Sequence, residues 1–579
     1  MSFTPTITVL VGQCGNQLGV SFLNAVASAA AATAQPHHRD ADDDRSTRGA
    51  AAATDSIFRE RVANEFFRQP TKSEEKSHTQ ELFENDDNGI ISSSSSSLVA
   101  RAVLVDMEPK VMEQTRLSMK RDRRQLFTIH ASQCVSREEG SANNWAFGYF
   151  TQGVSKLDDL EQRLRHEVRL ASDNWYGGGT AGGVGVKFHV VHSIAGGTGS
   201  GVGCLVSELI ADLFPKSEIH HTVVWPFQHG EVVTQNYNAI LAVSALRDTA
   251  DSVLVLSNDE IAEEMRSRHQ GGGHALAQGL SAASSFREIN HSMAKLMSSL
   301  HLPLEVLPLA KRAALEKRSR AVVVATAHHQ SPSSSASADD AWRTSMLRCA
   351  PRAALMCDVR ELLDLDPVKK FFTGSTFPRN IQSLASTLQQ VSWQSVVQEA
   401  TRYVCTVRAA QPLFVLRGRG SRDEGSRELM HALAMHHGAA ARPSQGGGSR
   451  SGLPYSVFGD GAYGLLASET PRIDDVHADS DASGGVGYRR GDGRDTSSAV
   501  FHTSPSIFRS STLSSPSANG GGLEHSLGRV QGMLQEKAFV HHYSRYGVSD
   551  DDIQNACIRC WELLEAYRDE ELDDGDEVF

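Results

Sequence analysis

The chain has 579 residues, 40% of them hydrophobic and 22% charged, with a formal net charge of −12. That length supports two or three domains with real cores, and an acidic balance without a basic stripe argues against nucleic acid as a main partner. The opening MSFTPTITVLVGQCGN has no basic region ahead of its apolar run, and nothing approaches the roughly 18 consecutive apolar residues of a membrane span, so neither a signal peptide nor a transmembrane segment is expected.

In chain order, Ile7 to Val11 reads as a short β-branched strand that stops at Gly12, and Asn16 to Ala32 as a helix. Residues 33–56 and 70–97 are polar and low in complexity, the second ending in a serine run, and read as inserts. Structure resumes with a strand over Val99 to Val105. A further strand, Phe188 to Ile194, enters a glycine turn that leaves as the helix Val202 to Phe214. His220 to Trp225 and Ser252 to Leu256 read as strands, separated by a helix around Ala239 to Leu246. Strands alternating with helices predict an α/β fold, a parallel sheet covered on both faces. Phe286 to Leu300 is an amphipathic helix presenting Ile289, Met293, Leu296, Met297 and Leu300. A second region follows, broken by inserts at about 328–341 and about 418–525. In the longer one only Leu453 to Leu466 reads as ordered. Two helical patterns, Leu527 to Tyr543 and Asp550 to Arg568, close the chain before the acidic stretch DEELDDGDEVF, which reads as a solvated end.

Eight cysteines lack framework spacing, which indicates a reducing compartment. Cys557 and Cys560 form a lone CxxC without the second pair that zinc requires; at helical spacing they read as small core residues.

The strongest chemical signal is Ala195 to Gly203, AGGTGSGVG, between a strand and a helix. Glycine permits positive φ and removes the Cβ, so successive backbone N–H groups can close on phosphate oxygens at the positive end of the following helix. Thr198 and Ser200 add hydroxyls. A P-loop would need a lysine and a hydroxyl residue after Gly201, where Val202 and Gly203 stand, and Val202 also occupies the third glycine of a dinucleotide turn. An oxidoreductase on a doubly wound sheet is thereby disfavoured. The equally glycine-rich run Gly177 to Gly185 follows no strand, opens no helix and reads as a linker.

Three further segments share this character. GQCGNQ, from Gly12 to Gln17, lies directly after the first strand. Asp106 and Glu108 end another strand, and read either as two carboxylates that approach one Mg²⁺ or as ordinary charges at a strand end. The loop Gly140 to Trp145, GSANNW, is small and polar.

On these residues, in this order, the sequence resembles the tubulin family, over roughly residues 1–27, 98–301, 355–416 and 527–579. Ala195 in the signature turn, Ala102–Val111 (AVLVDMEPKV), Trp225–Phe227 and Val540–Val548 (VHHYSRYGV) resemble its delta branch. The resemblance implies a Rossmann-like GTP-binding domain over residues 1–285, a core helix at 286–301, an α+β intermediate domain at 302–526, and C-terminal helices over 527–579. It implies GTP or GDP held by Gly12, Gln13, Cys14, Asp106, Glu108, Ala142, Asn143, Asn144, Ser193, Gly196, Gly197, Thr198, Gly199 and Ser200. Gln235 and Tyr237, with its neighbour Asn238, stand at the ribose side; Asn258, Phe286 and Asn290 stand where guanine is stacked and bonded. Mg²⁺ would be reached by Asp106 and Glu108 through water. Ala142 replaces a usual glycine, and Phe286 lacks the hydroxyl of a usual tyrosine.

In that family hydrolysis is completed in trans by an acid in a D-x-x-E pattern. Asp358 to Glu361 matches it, which makes Glu361 the candidate for a slow, assembly-dependent GTPase; the same residues also read as an acidic helix start. The implied partners are alpha- and beta-tubulin, epsilon-tubulin and microtubules, without nucleic acid or membrane. The implied setting is the cytoplasm and cytoskeleton, at the centriole, basal body or base of a cilium, with the nucleus as a further compartment. The alternative is a non-polymerising scaffold of the same fold with GTP as a structural cofactor. The acidic end reads as a tail for tubulin-binding proteins or as a plain solvated terminus.

Overall fold

The computed structural model describes residues 4–31, 59–74, 98–121, 126–173, 185–228, 230, 232–269, 282–305, 356–357, 370–376, 413–417, 456–457, 464–468, 504–510 and 522–573. Short β-branched runs build its centre. Strands β1 (Thr6–Val11), β2 (Ala102–Asp106), β3 (Cys134–Ser136), β4 (Lys187–Ser193), β5 (Glu218–Trp225), β6 (Ser252–Ser257) and β7 (Phe371–Thr376) run parallel in the order β7-β6-β5-β4-β1-β2-β3. β1 is buried along its whole length, as expected of a strand covered on both faces.

Beyond β7 the sheet continues through strands drawn from β8 (Leu413–Arg417), β9 (Ser456–Val457), β10 (Gly464–Ser468) and β11 (Ser504–Ser510). β11 pairs antiparallel with both β7 and β8, giving an 11-stranded sheet among the described residues. Three of these strands fall inside the range 418–525 that composition assigns mostly to loop. β9 and the start of β10 fall in the stretch Leu453 to Leu466 that reads as ordered, whereas β11 is recruited by backbone pairing of which composition carries no record.

Side chains alternate along β1 and divide the core. Ile7, Val9 and Val11 join α3 (Leu157–Asp173) and α4 (Gly203–Leu213). Leu10 faces the other layer, formed by α1 (Gly12–Ala31) and α7 (Ala282–His301). α7 buries the predicted stripe Ile289, Met293, Leu296, Met297 and Leu300 against α1. α5 (Gln235–Thr249) packs under the C-terminal helices α8 (Leu523–Gln535), α9 (Val540–Ser544) and α10 (Asp550–Asp573). α2 (Pro109–Arg121) follows β2, and α6 (Asn258–His269) follows β6.

The structure corrects several boundaries. The run from Val99 to Val105 is two strands, because Leu98–Ala100 pairs with Phe67–Arg68 and Phe127–Thr128 in a separate three-stranded sheet. Buried Arg101 is the pivot: its N–H donates to Phe66 O at 2.9 Å and its carbonyl accepts from Thr8 N at 2.8 Å. Residues 70–74, read as the start of an insert, are tied down. Glu74 takes Arg68 in two bonds of 2.7 Å, and the same guanidinium reaches Glu167 of α3 at 3.1 Å. The single helix expected over Leu527 to Tyr543 breaks between α8 and α9, where Lys537 and Phe539 take φ of 50° and 61°. Cys557 and Cys560 are core residues under α5, Cys560 Sγ lying 3.6 Å from Ile240 O. The regions 33–56 and 328–341, the residues Asp358 to Glu361, and most of Gly177 to Gly185 lie outside the described residues.

Candidate functional site

The chain runs outward from β1 to β2 and β3, then returns to β4 on the other side of β1. This reversal leaves a crevice at the carboxyl ends of β1 and β4, where open α/β sheets bind ligands. The turns after both strands meet there. Gly12 has φ +74°, and a Cβ on it would stand 3.0 Å from Gly199 N. The loop after β3 closes the third side, with Ser141 Oγ 2.8 Å from Thr198 Oγ1. A Cβ on Gly201 would lie 2.3 Å from Trp145 O. Glycine is therefore set by the close approach of backbones as well as by turn shape.

The signature turn is braced from below. Ser193 Oγ, at the end of β4, accepts the Ala195 N–H at 3.2 Å, and Ser200 N donates to Gly196 O at 3.2 Å. A wide helical turn over Thr198–Val202 then feeds α4, whose N-terminal end points at the crevice. In the loop after β3, Ala142 and Asn143 both take positive φ, 48° and 51°. Asparagine tolerates that region; alanine pays roughly 1–2 kcal/mol for it. Asn144 caps the following turn, accepting from Phe147 N at 3.0 Å, while its Nδ2 donates to His542 O at 3.0 Å.

Asp106 ends β2 at 3% exposure. Its Oδ1 accepts the Glu108 N–H at 3.2 Å, whereas buried Oδ2 has no protein partner. Burial, with a smaller push from Glu108, raises its carboxyl from an ordinary 3.8 to about 7. Exposed Glu108 reaches the loop after β3, its Oε1 lying 2.7 Å from where a Cβ on Gly140 would stand. Buried Asn16 bridges Gly12 O at 2.9 Å and Val105 O at 3.2 Å, fastening the first turn to the strand that carries Asp106. An unpartnered carboxylate oxygen with an exposed carboxylate two residues on fits a divalent cation or its water ligands. Asp106 and Glu108 would hold Mg²⁺ there, and the ion would neutralise phosphate charge.

Toward α7 the surroundings become aromatic and amide-bearing. Phe286 is 46% exposed, with its ring 6.3 Å from that of Phe227 in an edge contact. Asn290 follows one helical turn later, half-buried, and Asn258 opens α6 at the end of β6. Gln235 Nε2 donates to Phe227 O at 2.8 Å, so this amide shapes the wall. Half-buried Cys14 packs in the α1–α7 layer, and burial pushes its thiol up to about 12. Exposed Gln13 stands at the mouth. Tyr237 points away: it is fully buried and its hydroxyl donates to Ala538 O at 2.9 Å. Glu361 lies outside the described residues.

Sequence reasoning passed over Asn16, Ser141 and Tyr543, and noticed Asn238 only as a neighbour of Tyr237. The available signal at Asn238 was a buried amide directly ahead of the apolar run Ala239 to Val243 in α5.

A parallel sheet that gathers glycine turns at its switch point, without a loop lysine, is the architecture of a nucleotide-binding α/β domain, in which backbone amides could cradle phosphates. Residues 5–266 match the model of the Tubulin/FtsZ family, GTPase domain. The chain is similar to the tubulin delta chain of Macaca fascicularis, 32% identical over 255 residues that cover 44% of this chain and 46% of the relative. The tubulin epsilon chain of Mus musculus is 28% identical over 258 residues, 45% of each chain. The tubulin gamma chain of Eremothecium gossypii is 30% identical over 256 residues, 44% of each. The match thus spans about half the length of these relatives. Among the described residues, no helix is long and apolar enough to cross a membrane.

Proposed function

We propose that this chain is a GTP-binding cytoskeletal protein of the delta-tubulin type, acting in triplet microtubule formation at centrioles and basal bodies and so in cilium or flagellum assembly. The observation that carries the nucleotide half of this reading is the meeting of three turns at Gly12, Ser141 and Gly199. Guanine is supported by the exposed ring of Phe286 and the amides of Asn258 and Asn290, since its edge offers donors and acceptors together. Mg²⁺ is supported by the unpartnered Oδ2 of Asp106. The cytoskeletal half rests on likeness to tubulin delta chains. Its partners would be other tubulins, and Glu361 would act in a neighbour's site to complete slow, assembly-dependent hydrolysis.

Two experiments test the halves separately. Nucleotide released from purified protein should be GTP or GDP; a nicotinamide dinucleotide, or none, would overturn the site assignment. A tagged chain should sit at basal bodies, and its loss should remove the third tubule; intact triplets would overturn the cellular role. The strands β9 to β11 thicken the sheet edge beyond β7 and favour a second reading, a non-polymerising scaffold with structural GTP. Sedimentation with GTP, alone and with alpha/beta-tubulin, separates the two.

A further inference from the structure

Asn238 is fully buried, and both ends of its amide are committed. Nδ2 donates to Asn143 O at 2.9 Å and to Ala195 O at 2.6 Å. Oδ1 accepts the Trp145 N–H at 2.8 Å and the Tyr543 hydroxyl at 2.6 Å. One side chain therefore holds the loop after β3 and the entry of the signature turn in a fixed relation, and α9 in turn holds that side chain. A second route reaches the same helix through Asn144 Nδ2 and His542 O. A third contact sets the rings of Phe147 and Tyr546 4.6 Å apart. The loop held in this way contains the two left-handed residues Ala142 and Asn143, a conformation that persists only where its surroundings enforce it.

From these contacts we infer that α9 is a positioning element of the nucleotide site: Tyr543, acting through Asn238, sets the spacing of the two phosphate loops and couples nucleotide occupancy to the docking of the C-terminal helices. Tyr543 acts through Asn238, and its hydroxyl also lies 3.4 Å from Thr234 O, whose own hydroxyl donates to Asn143 O at 2.9 Å in the same loop. The coupling is reciprocal by linkage, so a nucleotide that tightens the loops also tightens α9. This inference rests on the reading that these loops hold nucleotide phosphates.

The test uses the full chain with a fluorescent GTP analogue in the presence of Mg²⁺. Tyr543→Phe removes one hydroxyl from the relay and should weaken binding roughly 3- to 10-fold, with faster dissociation. Tyr567→Phe, which removes the hydroxyl bonded to Phe371 O at 2.7 Å on a tether far from the loops, should keep wild-type affinity. Hydrogen exchange supplies a readout that needs no variant: nucleotide should slow exchange across residues 540–546 in the wild type. Wild-type protein that binds no analogue would overturn the nucleotide reading itself. Binding without protection at 540–546, or a folded Tyr543→Phe with wild-type affinity, would overturn the coupling alone.

Discussion

Gly197 and Ser141 approach so closely that no side chain fits between their loops: a Cβ on Gly197 would lie 2.3 Å from Ser141 O and 2.7 Å from Asn144 N. Both contacts are with backbone, which cannot rotate away. Gly197→Ala should therefore push the signature turn off the loop after β3 and reduce nucleotide binding at least about ten-fold, with secondary structure retained. Gly528→Ala is the matched control, since a Cβ there meets nothing within 4 Å inside α8. It should raise stability by about 1 kcal/mol. Circular dichroism melts with analogue titration check both, and an unimpaired Gly197→Ala would show that the loops do not need this contact.

Asp106 makes the nucleotide-free protein sensitive to pH. Its carboxyl is raised from an ordinary 3.8 to about 7 by burial, so the folded state keeps a proton that the unfolded chain releases. Stability from this group is therefore full below about pH 4 and declines as pH rises to about 7. Asp106→Asn removes the buried charge and should stabilise the nucleotide-free protein at pH 8 by on the order of 2 kcal/mol, with little effect at pH 4. The same variant should lose the stabilisation that Mg²⁺ with nucleotide gives the wild type. Equal melting shifts for Asp106→Asn at both pH values would remove the carboxyl from this role.

The reach of sequence differs between these two sites. Turns were legible because glycine clusters after β-branched runs leave a local mark, and the stripe on α7 was legible through its period. The switch point was not, since β4 returns beside β1 across more than a hundred residues of chain. For the same reason Asn238 and Tyr543, which meet at 2.6 Å, carried no local signal of their pairing. Asp106 could be read as a ligand candidate, but its unpartnered oxygen is a property of packing. Strand β11 escaped notice, while β9 and the start of β10 fall in the stretch Leu453 to Leu466 that reads as ordered; their pairing partners, not their composition, make them strands.

Behind the signature turn, His192 Nε2 lies 3.0 Å from His221 Nδ1, and His221 Nε2 lies 2.9 Å from Ser207 Oγ. Burial lowers His192 to about 4 and His221 well below its ordinary 6.5. A histidine kept neutral by the fold contributes stability that is full above about pH 6.5 and is lost as pH falls toward 4. This slope opposes that of Asp106 across much of the same window. Asp106→Asn should thus expose a steeper acid loss than the wild type shows, and adding His192→Gln should flatten it. Melting temperatures at half-unit steps of pH decide the matter: parallel curves for the two variants would exclude the histidine pair as the source.

Ala142 stands where the tubulins that the chain resembles usually have glycine, and this departure has a direct conformational cost. Its φ of 48° lies in the left-handed region, its side chain is exposed, and the next residue, Asn143, repeats the geometry at 51°. Nothing gained by its methyl group offsets a strain of roughly 1–2 kcal/mol, while glycine at the same position loses somewhat more entropy on folding. The difference favours Ala142→Gly by about 0.5–1 kcal/mol. Because the loop relaxes in the unfolded chain whether or not nucleotide is bound, the gain should appear in the melting temperature of the empty protein. Asn143→Gly should be near neutral, since asparagine already tolerates this conformation. A fall in stability for Ala142→Gly would mean that the alanine is held without strain, and that the constraint lies in Asn238 and the carbonyl it grips at Asn143.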